Sequence, residues 1–292
     1  MGTLRELAIA AVIGSVLLSC AFVPRLSGGL SEQSDSQLMP RSLFAQAAVQ
    51  ALDREFASKN TSFFLLDARS GVVLSARWDN PNKPIPLGSL VKPFTALAYA
   101  ETHGFRYPTH ECRGQASGCW QIRPHGNLDM SSAIAVSCNS YFQFLSERVS
   151  PEELLPVAEA FNLEPPAANL TSASLIGLGD QWPIPPLRMA TAYLELSRRR
   201  DQPGVREIID GMLGSAQRGT GAAVGHSLKH SRALVKTGTA PCTHLPHSPA
   251  DGFVIALVPA DRPEMLLMIR VHGVAGANAA QTAGRMLRWM EE

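Results

Sequence analysis

Gly88-Ser89-Leu90-Val91-Lys92-Pro93-Phe94 is followed by Thr95-Ala96-Leu97-Ala98-Tyr99-Ala100-Glu101, whose apolar residues recur at helical spacing. The reading predicts a helix that begins at or near Ser89. Pro93 suits a first turn, where N–H groups lack intrahelical partners anyway. Lys92, which precedes it, is biased away from helix. On such a helix Ser89 and Lys92 stand at i and i+3 and share a face. A serine hydroxyl is a poor nucleophile until a neighbouring base takes its proton. A lysine amine can be that base only if it is neutral near pH 7, which means a fall of about 3 pKa units, at a cost of roughly 4 kcal/mol. Burial and a second nearby cation both push in that direction. The pattern therefore predicts a closed site with another positive charge. Taken alone, Ser-x-x-Lys describes many ordinary exposed helices, and two later stretches give it weight.

Upstream of it, Ser62-Phe63-Phe64-Leu65-Leu66-Asp67 and Gly71-Val72-Val73-Leu74-Ser75-Ala76 flank a short turn and predict a hairpin, with Gly71 available for a positive φ. Before that, residues 41–58 carry Leu43, Phe44, Ala47, Ala48, Leu52 and Phe56 at the spacing of an amphipathic helix. Downstream, residues from about 95 to 230 read as helical and loop-rich. Helices are expected at 187–199 and 206–216, and Gly219-Thr220-Gly221 as a loop. Strands return at Ala233-Leu234-Val235-Lys236-Thr237-Gly238-Thr239-Ala240, at 252–258 and at 265–271, and an amphipathic helix closes the chain at 278–290. Early and late strands must share one sheet to bury their faces. The expected fold is α/β of the α+β type: a five-stranded antiparallel sheet covered by the N- and C-terminal helices, with a large all-helical insertion and the site at their junction.

Ser137-Cys138-Asn139 interrupts an apolar-periodic run. Serine and asparagine disfavour helix interiors because they compete for backbone hydrogen bonds. A break there points both side chains at a cleft, whereas the same tripeptide in isolation reads as a helix N-cap. Nearby lie His110, Cys112, Cys119 and His125. Their spacing leaves three readings open: a Cys112–Cys119 disulfide, as paired cysteines in an exported chain suggest, free thiols, or a metal site. Cys138 and Cys242 each sit beside a motif and could pair across the cleft floor. His226, His230, His244, His247 and His272 follow no ligand spacing and read as surface or core histidines.

The chain has 292 residues, a net charge of +1 and 45% hydrophobic residues. That suits one folded unit or two small subdomains behind an N-terminal extension. The near-neutral charge makes no case for nucleic acid, and no phosphate loop or dinucleotide fingerprint is present. Residues 7–23 are apolar apart from small residues, behind Arg5, and read as an export signal. Leu17-Leu18-Ser19-Cys20 looks like a lipobox, with Cys20 the lipidated residue. An uncleaved membrane anchor and a cleaved signal with an incidental cysteine are the alternatives. Residues 1–40 are thus signal or anchor plus tether, and residues 41–292 the folded domain.

Ser89-x-x-Lys92, Ser137-x-Asn139 and Lys236-Thr237-Gly238 occur in that order, on a helix, a loop of the helical region and a late strand. The ordered set resembles the penicillin-recognising serine enzymes. Within them it is similar to the transpeptidase domain of class B penicillin-binding proteins, over roughly residues 60–275. His125-Gly126 through Ser137-Cys138-Asn139 to Tyr141-Phe142 resembles the flanks of the second motif, and Ile176-Gly177-x-Gly179 a further family stretch. The family's large N-terminal pedestal is missing. The resemblance implies that Ser89 attacks the penultimate D-alanine carbonyl of a peptidoglycan stem peptide, with Lys92 as its base. It implies that Ser137 and Lys236 relay a proton to the departing D-alanine, that Asn139 binds the substrate amide, and that Thr237, Gly238 and Thr239 hold the substrate. It also implies β-lactams as covalent inhibitors, with no metal and no cofactor. Two other outcomes compete: a β-lactam or muropeptide receptor without turnover, and a serine β-lactamase of the class D kind, in which the lysine at the place of Lys92 is carbamylated.

Overall fold

The structure, a computed structural model, describes Gln50, residues 52–244 and residues 248–292. These belong to one unit spanning Leu43–Glu292. The export segment, the tether, Cys20 and His247 lie outside the described residues.

The central sheet is built from both ends of the domain. Strands β1 (Thr61–Asp67) and β2 (Val73–Arg77) come early. Strands β7 (Leu234–Ala240), β8 (Asp251–Val258) and β9 (Met265–His272) come late. Their order is β2-β1-β9-β8-β7, antiparallel throughout. The junction of early and late segments is the β1–β9 ladder, in register from Thr61 opposite Val271 to Asp67 opposite Met265. β7 is the edge strand on the late side.

Because side chains alternate along a strand, each central strand feeds two cores. Phe63, Leu65, Val254, Ala256, Leu267 and Ile269 pack on one face with Leu52, Ala279, Ala283, Met286 and Leu287. Residues 52–55 are helical, so the first and last helices do share that face. Phe64, Leu66, Phe253, Ile255, Leu266 and Met268 point the other way, into a core made with the insertion. Both faces being covered explains why β8 is buried along its whole length, and apolar after Asp251, rather than alternating.

The insertion contains helices α1 (Lys92–Thr102), α2 (Met130–Ala135), α3 (Asn139–Ser146), α4 (Pro151–Ala160), α5 (Ser172–Leu175), α6 (Pro186–Arg198), α7 (Arg206–Arg218) and α8 (Ala222–Ser227); α9 (Gly276–Glu291) closes the chain. It is not all helix. β3 (Ile85–Pro86) pairs with β6 (Pro183–Ile184), and β4 (His110–Cys112) pairs with β5 (Gly126–Leu128). These pairs are too short to leave a periodic signal in sequence. Among the described residues no helix is long and apolar enough to cross a membrane.

Candidate active site

The first motif does not begin an α-helix at Ser89. Gly88–Val91 form one 3-10 turn, and α1 starts at Lys92. Pro93 gives the reason. In an α-helix the residue after Lys92 would donate to the Ser89 carbonyl, and proline has no N–H to give. The Lys92 N–H takes that carbonyl instead, which closes an i to i+3 bond. In a 3-10 turn residues three apart eclipse one another, so the motif's spacing stacks Ser89 and Lys92 more directly than an α-turn does. The turn is held from outside. The buried Tyr193 hydroxyl donates to the Leu90 carbonyl at 2.8 Å, and the Thr95 hydroxyl donates to the Leu175 carbonyl. Gly88 has φ +57°, and a Cβ on it would fall 2.1 Å from the Thr239 carbonyl oxygen. A Cβ on Gly238 would fall 2.4 Å from the Leu87 carbonyl oxygen. Two glycines thus let the Ser89 turn lie directly against the third motif's strand.

The second motif sits where α2 breaks. Asp129 caps α2 through its side chain, which accepts from the Ser132 N–H. After the helix, the Cys138 N–H bonds back to the Ala133 carbonyl at 3.0 Å. Ser137 is forced to φ +51°. A left-handed non-glycine residue of this kind costs of order 1–3 kcal/mol and persists only where its surroundings fix it. Here the result is that the Ser137 hydroxyl, buried, lies between two lysines. Lys92 Nζ donates to the Ser137 carbonyl at 2.9 Å and to Asn139 Oδ1 at 2.6 Å, and stands 3.4 Å from Ser137 Oγ. Lys236 Nζ donates to Ser137 Oγ at 3.0 Å and to the Thr237 carbonyl at 2.7 Å.

Both lysines are fully buried. Burial brings Lys92 down to about 7, with the nearby Cys138 and Cys119 sulfurs pulling the other way. Burial, and then the charge of Lys92, hold Lys236 well below the ordinary lysine range. A second lysine does stand across Ser137, but burial is what lowers Lys92, and the charge effect between the two falls on Lys236. A neutral Lys92 amine can satisfy the two carbonyl oxygens with its two N–H groups. Its lone pair is then left to accept a hydroxyl proton.

Ser89, Ser137, Asn139, Thr237, Gly238 and Thr239 all line one cavity of about 330 Å³, together with Trp120, Leu178, Thr220, Ala275 and Ala277. Every proposed catalytic and substrate-binding residue except the two buried lysines reaches this cavity, and those lysines lie beneath it through Ser137. Five of these lining residues were not anticipated, and two of them, Thr220 and Trp120, bring hydrogen-bonding groups. Thr220 accepts from the Thr237 hydroxyl at 2.6 Å; it is carried in by a loop whose N–H bonds the Ala135 carbonyl. Trp120, half exposed, donates to the Val136 carbonyl at 3.3 Å. The one sequence signal for Thr220 was its pair of flanking glycines. Thr239 is fixed as acceptor of the Gly276 N–H at the start of α9.

Of the readings left open for the cysteines, neither disulfide pairing is formed. Cys112, Cys119, Cys138 and Cys242 are free thiols. Cys119 Sγ and Cys138 Sγ stand 3.8 Å apart, far from the ~2.05 Å of a disulfide. Cys138 turns away from Cys242 and joins Cys112, Cys119 and His125, whose four ligand atoms lie within 4.8 Å of one another. His110 is not part of this group; its ring bonds the Ser140 hydroxyl at 2.9 Å. A second group, Cys242, His244, Asp251 and His272, brings together two of the histidines read as surface or core residues. It is the weaker metal site. His244 turns Nδ1 to Cys242 and Asp251 but Nε2 to His272, and one imidazole cannot give both nitrogens to one ion.

The penicillin-binding protein transpeptidase domain family matches residues 61–288, and the chain belongs to that family. No curated protein matches it. Among solved structures, PBP2 from Pseudomonas aeruginosa superposes with TM-score 0.67 at 17% identity, over 88% of this chain and 74% of that one. The transpeptidase domain of penicillin-binding protein 3 from Burkholderia pseudomallei gives 0.63 at 17%, over 88% and 93%. The D,D-transpeptidase domain of a peptidoglycan glycosyltransferase from Eggerthella lenta gives 0.65 at 16%, over 84% and 80%. At these identities the likeness is one of fold.

Proposed function

We propose that the chain is a D,D-acyltransferase acting on peptidoglycan stem peptides through an ester on Ser89. The observation that carries this is the convergence of two fully buried, charge-disfavoured lysines on Ser137, directly under a cavity that Ser89 lines. Ser89 Oγ attacks the penultimate D-alanine carbonyl and its proton passes to Lys92. The backbone N–H groups of Ser89 and Thr239 hold the oxyanion; losing one such donor costs about 3–4 kcal/mol in acyl-transfer enzymes. The C–N bond then breaks, and the departing D-alanine amine takes a proton through Ser137 and Lys236. Asn139 binds the substrate amide. Thr237 and Thr239, with Lys236, hold the terminal carboxylate across Gly238, and Thr220 orients Thr237. The ester is finally resolved by an acceptor amine, giving a cross-link, or by water. No cofactor takes part in these steps. β-lactams mimic the same carbonyl and acylate the same serine. The domain works outside the cytoplasm, tethered through residues 1–40 by a lipid on Cys20 or by a membrane anchor.

The class D-type reading is disfavoured by what Lys92 faces. Two carbonyl oxygens, of Ser137 and Asn139, point at Nζ, and a carbamate there would set anionic oxygens against them.

The test is a time course of the purified protein with a fluorescent penicillin, read by intact mass, with Ser89→Ala as control. A stable adduct on Ser89 is expected, together with D-alanine release over many turnovers from a stem-peptide mimic. No adduct would refute the acyl-enzyme. A transient adduct with accumulating product would mean a β-lactamase, and an adduct without D-alanine release a receptor.

A further inference from the structure

The segment between β4 and β5 is folded without a core of its own. From Glu111 to Asn127, the buried residues are Cys112, Gly114 and Cys119. Arg113, Gln115, Trp120, Ile122 and Arg123 are exposed. Yet the segment is fully turned, with a 3-10 turn at Gly114–Ser117 capped by left-handed Gly118 and the Cys119 N–H returning to the Gly114 carbonyl. What its buried side chains share is a single focus. Cys112 Sγ lies 3.5 Å and Cys119 Sγ 3.6 Å from His125 Nδ1, and Cys119 Sγ lies 3.8 Å from Cys138 Sγ.

These separations are those of a tetrahedron around one ion. With Zn–S near 2.3 Å and Zn–N near 2.0–2.1 Å, tetrahedral edges come to about 3.8 Å for S···S and about 3.6 Å for S···N. A disulfide would use two of the three thiols and leave the third buried beside the imidazole without a role. A metal uses all four groups. Three sulfurs and one imidazole form a soft set that suits zinc and not magnesium or calcium. With four protein ligands there is no open coordination position, so the site is structural and not hydrolytic.

We propose that Cys112, Cys119, His125 and Cys138 bind one zinc ion, which clasps the β4–β5 segment to the second motif. The thiols bind as thiolates and their protons go to solvent. The consequence follows from where Cys138 sits. It lies between Ser137 and Asn139, so a Zn–S bond pins the peptide that holds Ser137 in its left-handed conformation and aims both side chains at Lys92. The zinc ligands are positioning residues for the site; they touch no substrate. Trp120, on the same segment, is set at the cavity wall by the same clasp.

Metal content of the full chain, purified without chelator and again after addition of zinc alone, tests this directly. About one zinc per chain is expected, with three thiols unreactive toward a disulfide reagent until a chelator is added. Cys119→Ser should fall below about 0.1 zinc per chain, while Cys242→Ser keeps its zinc. Should Cys119→Ser fail to fold, cobalt added to the metal-free wild-type chain must give thiolate charge-transfer and tetrahedral ligand-field bands. The proposal is overturned by a zinc-free chain after addition of zinc, by absent cobalt bands, by a mass two daltons low from a disulfide among the four residues, or by zinc lost in Cys242→Ser but kept in Cys119→Ser. The positioning role is read separately: chelation should slow penicillin acylation about tenfold, with recovery on adding zinc back, and an unchanged rate would refute that role. Because metal content is measured without any acylation, failure of the zinc site and failure of the acyl-enzyme reading are distinguishable.

Discussion

Replacing Gly88 by alanine puts one carbon where the structure has none to spare. The new Cβ would lie 2.1 Å from the Thr239 carbonyl oxygen and 2.8 Å from its nitrogen, so the turn and β7 must separate by roughly 1 Å to restore van der Waals contact. Alanine at φ +57° adds about 1–2 kcal/mol of backbone strain. The same displacement moves the Ser89 N–H away from the Thr239 N–H, the pair proposed to hold the oxyanion. A misplacement of this size can cost about a hundredfold in rate, close to 3 kcal/mol of transition-state stabilisation. Gly71→Ala supplies the control. Gly71 also has positive φ, +75°, but its Cβ would meet only Leu194 Cδ1 at 4.0 Å. Gly71→Ala should lose about 1–2 kcal/mol in denaturant unfolding, Gly88→Ala should lose more because the clash adds to the same strain, and only Gly88→Ala should lose acylation by fluorescent penicillin. A Gly88→Ala rate within about threefold of wild type would refute the claim that this contact sets the geometry of the nucleophile.

The acylation rate should follow the neutral fraction of Lys92, faced by Lys236 beyond Ser137 and by the Cys119 and Cys138 sulfurs. It should rise through a midpoint near pH 7 and be about a hundredfold slower at pH 5 than at pH 9; a flat profile would remove Lys92 as the base. The same lowered value means that the unfolded chain binds more protons than the folded one between about 7 and 10.5, so this group makes stability rise with pH across that window. Tyr193→Phe leaves the buried Leu90 carbonyl without its donor and should cost about 1–3 kcal/mol in unfolding free energy. Thr220→Val frees the Thr237 hydroxyl and should weaken penicillin binding about fivefold, the worth of one hydrogen bond, with little change in the limiting acylation rate.

Much of this could be read from the sequence for reasons that are physical. β8 and β9 are long apolar runs between turn residues, and both faces of the sheet turn out to be covered. The three motifs are short because each occupies a single turn or a single strand, so their order survives as text. The 3-10 turn at Gly88–Val91 was less legible, although Pro93 carried the information: the same missing N–H that favours a first turn forbids the α bond to Ser89. The left-handed Ser137 was visible only as a break, since nothing in a tripeptide reports the sign of φ. Thr220 and Trp120 reach the cavity through contacts with Ala135 and Val136, and such tertiary placement leaves no local periodicity. The spacing of Cys112 and Cys119 left a disulfide, free thiols and a metal site open, because adjacency in sequence does not report that the fold adds Cys138 as a third thiol at the same focus.

The β1–β9 ladder carries a consequence for how the molecule comes into being. The hydrogen bond from Arg270 to Ser62 spans 208 residues, and closing a loop of that length costs about 5 kcal/mol before any contact rewards it. The helical segment between these strands is rich in near neighbours and can organise early. The sheet cannot, because two of its three interior strands, β8 and β9, follow the whole insertion in the chain. Lys236 sits on β7, which joins the sheet through β8. The residues proposed to act together therefore meet only when the sheet closes, and a chain interrupted before β9 has every motif but no cleft in which to use them.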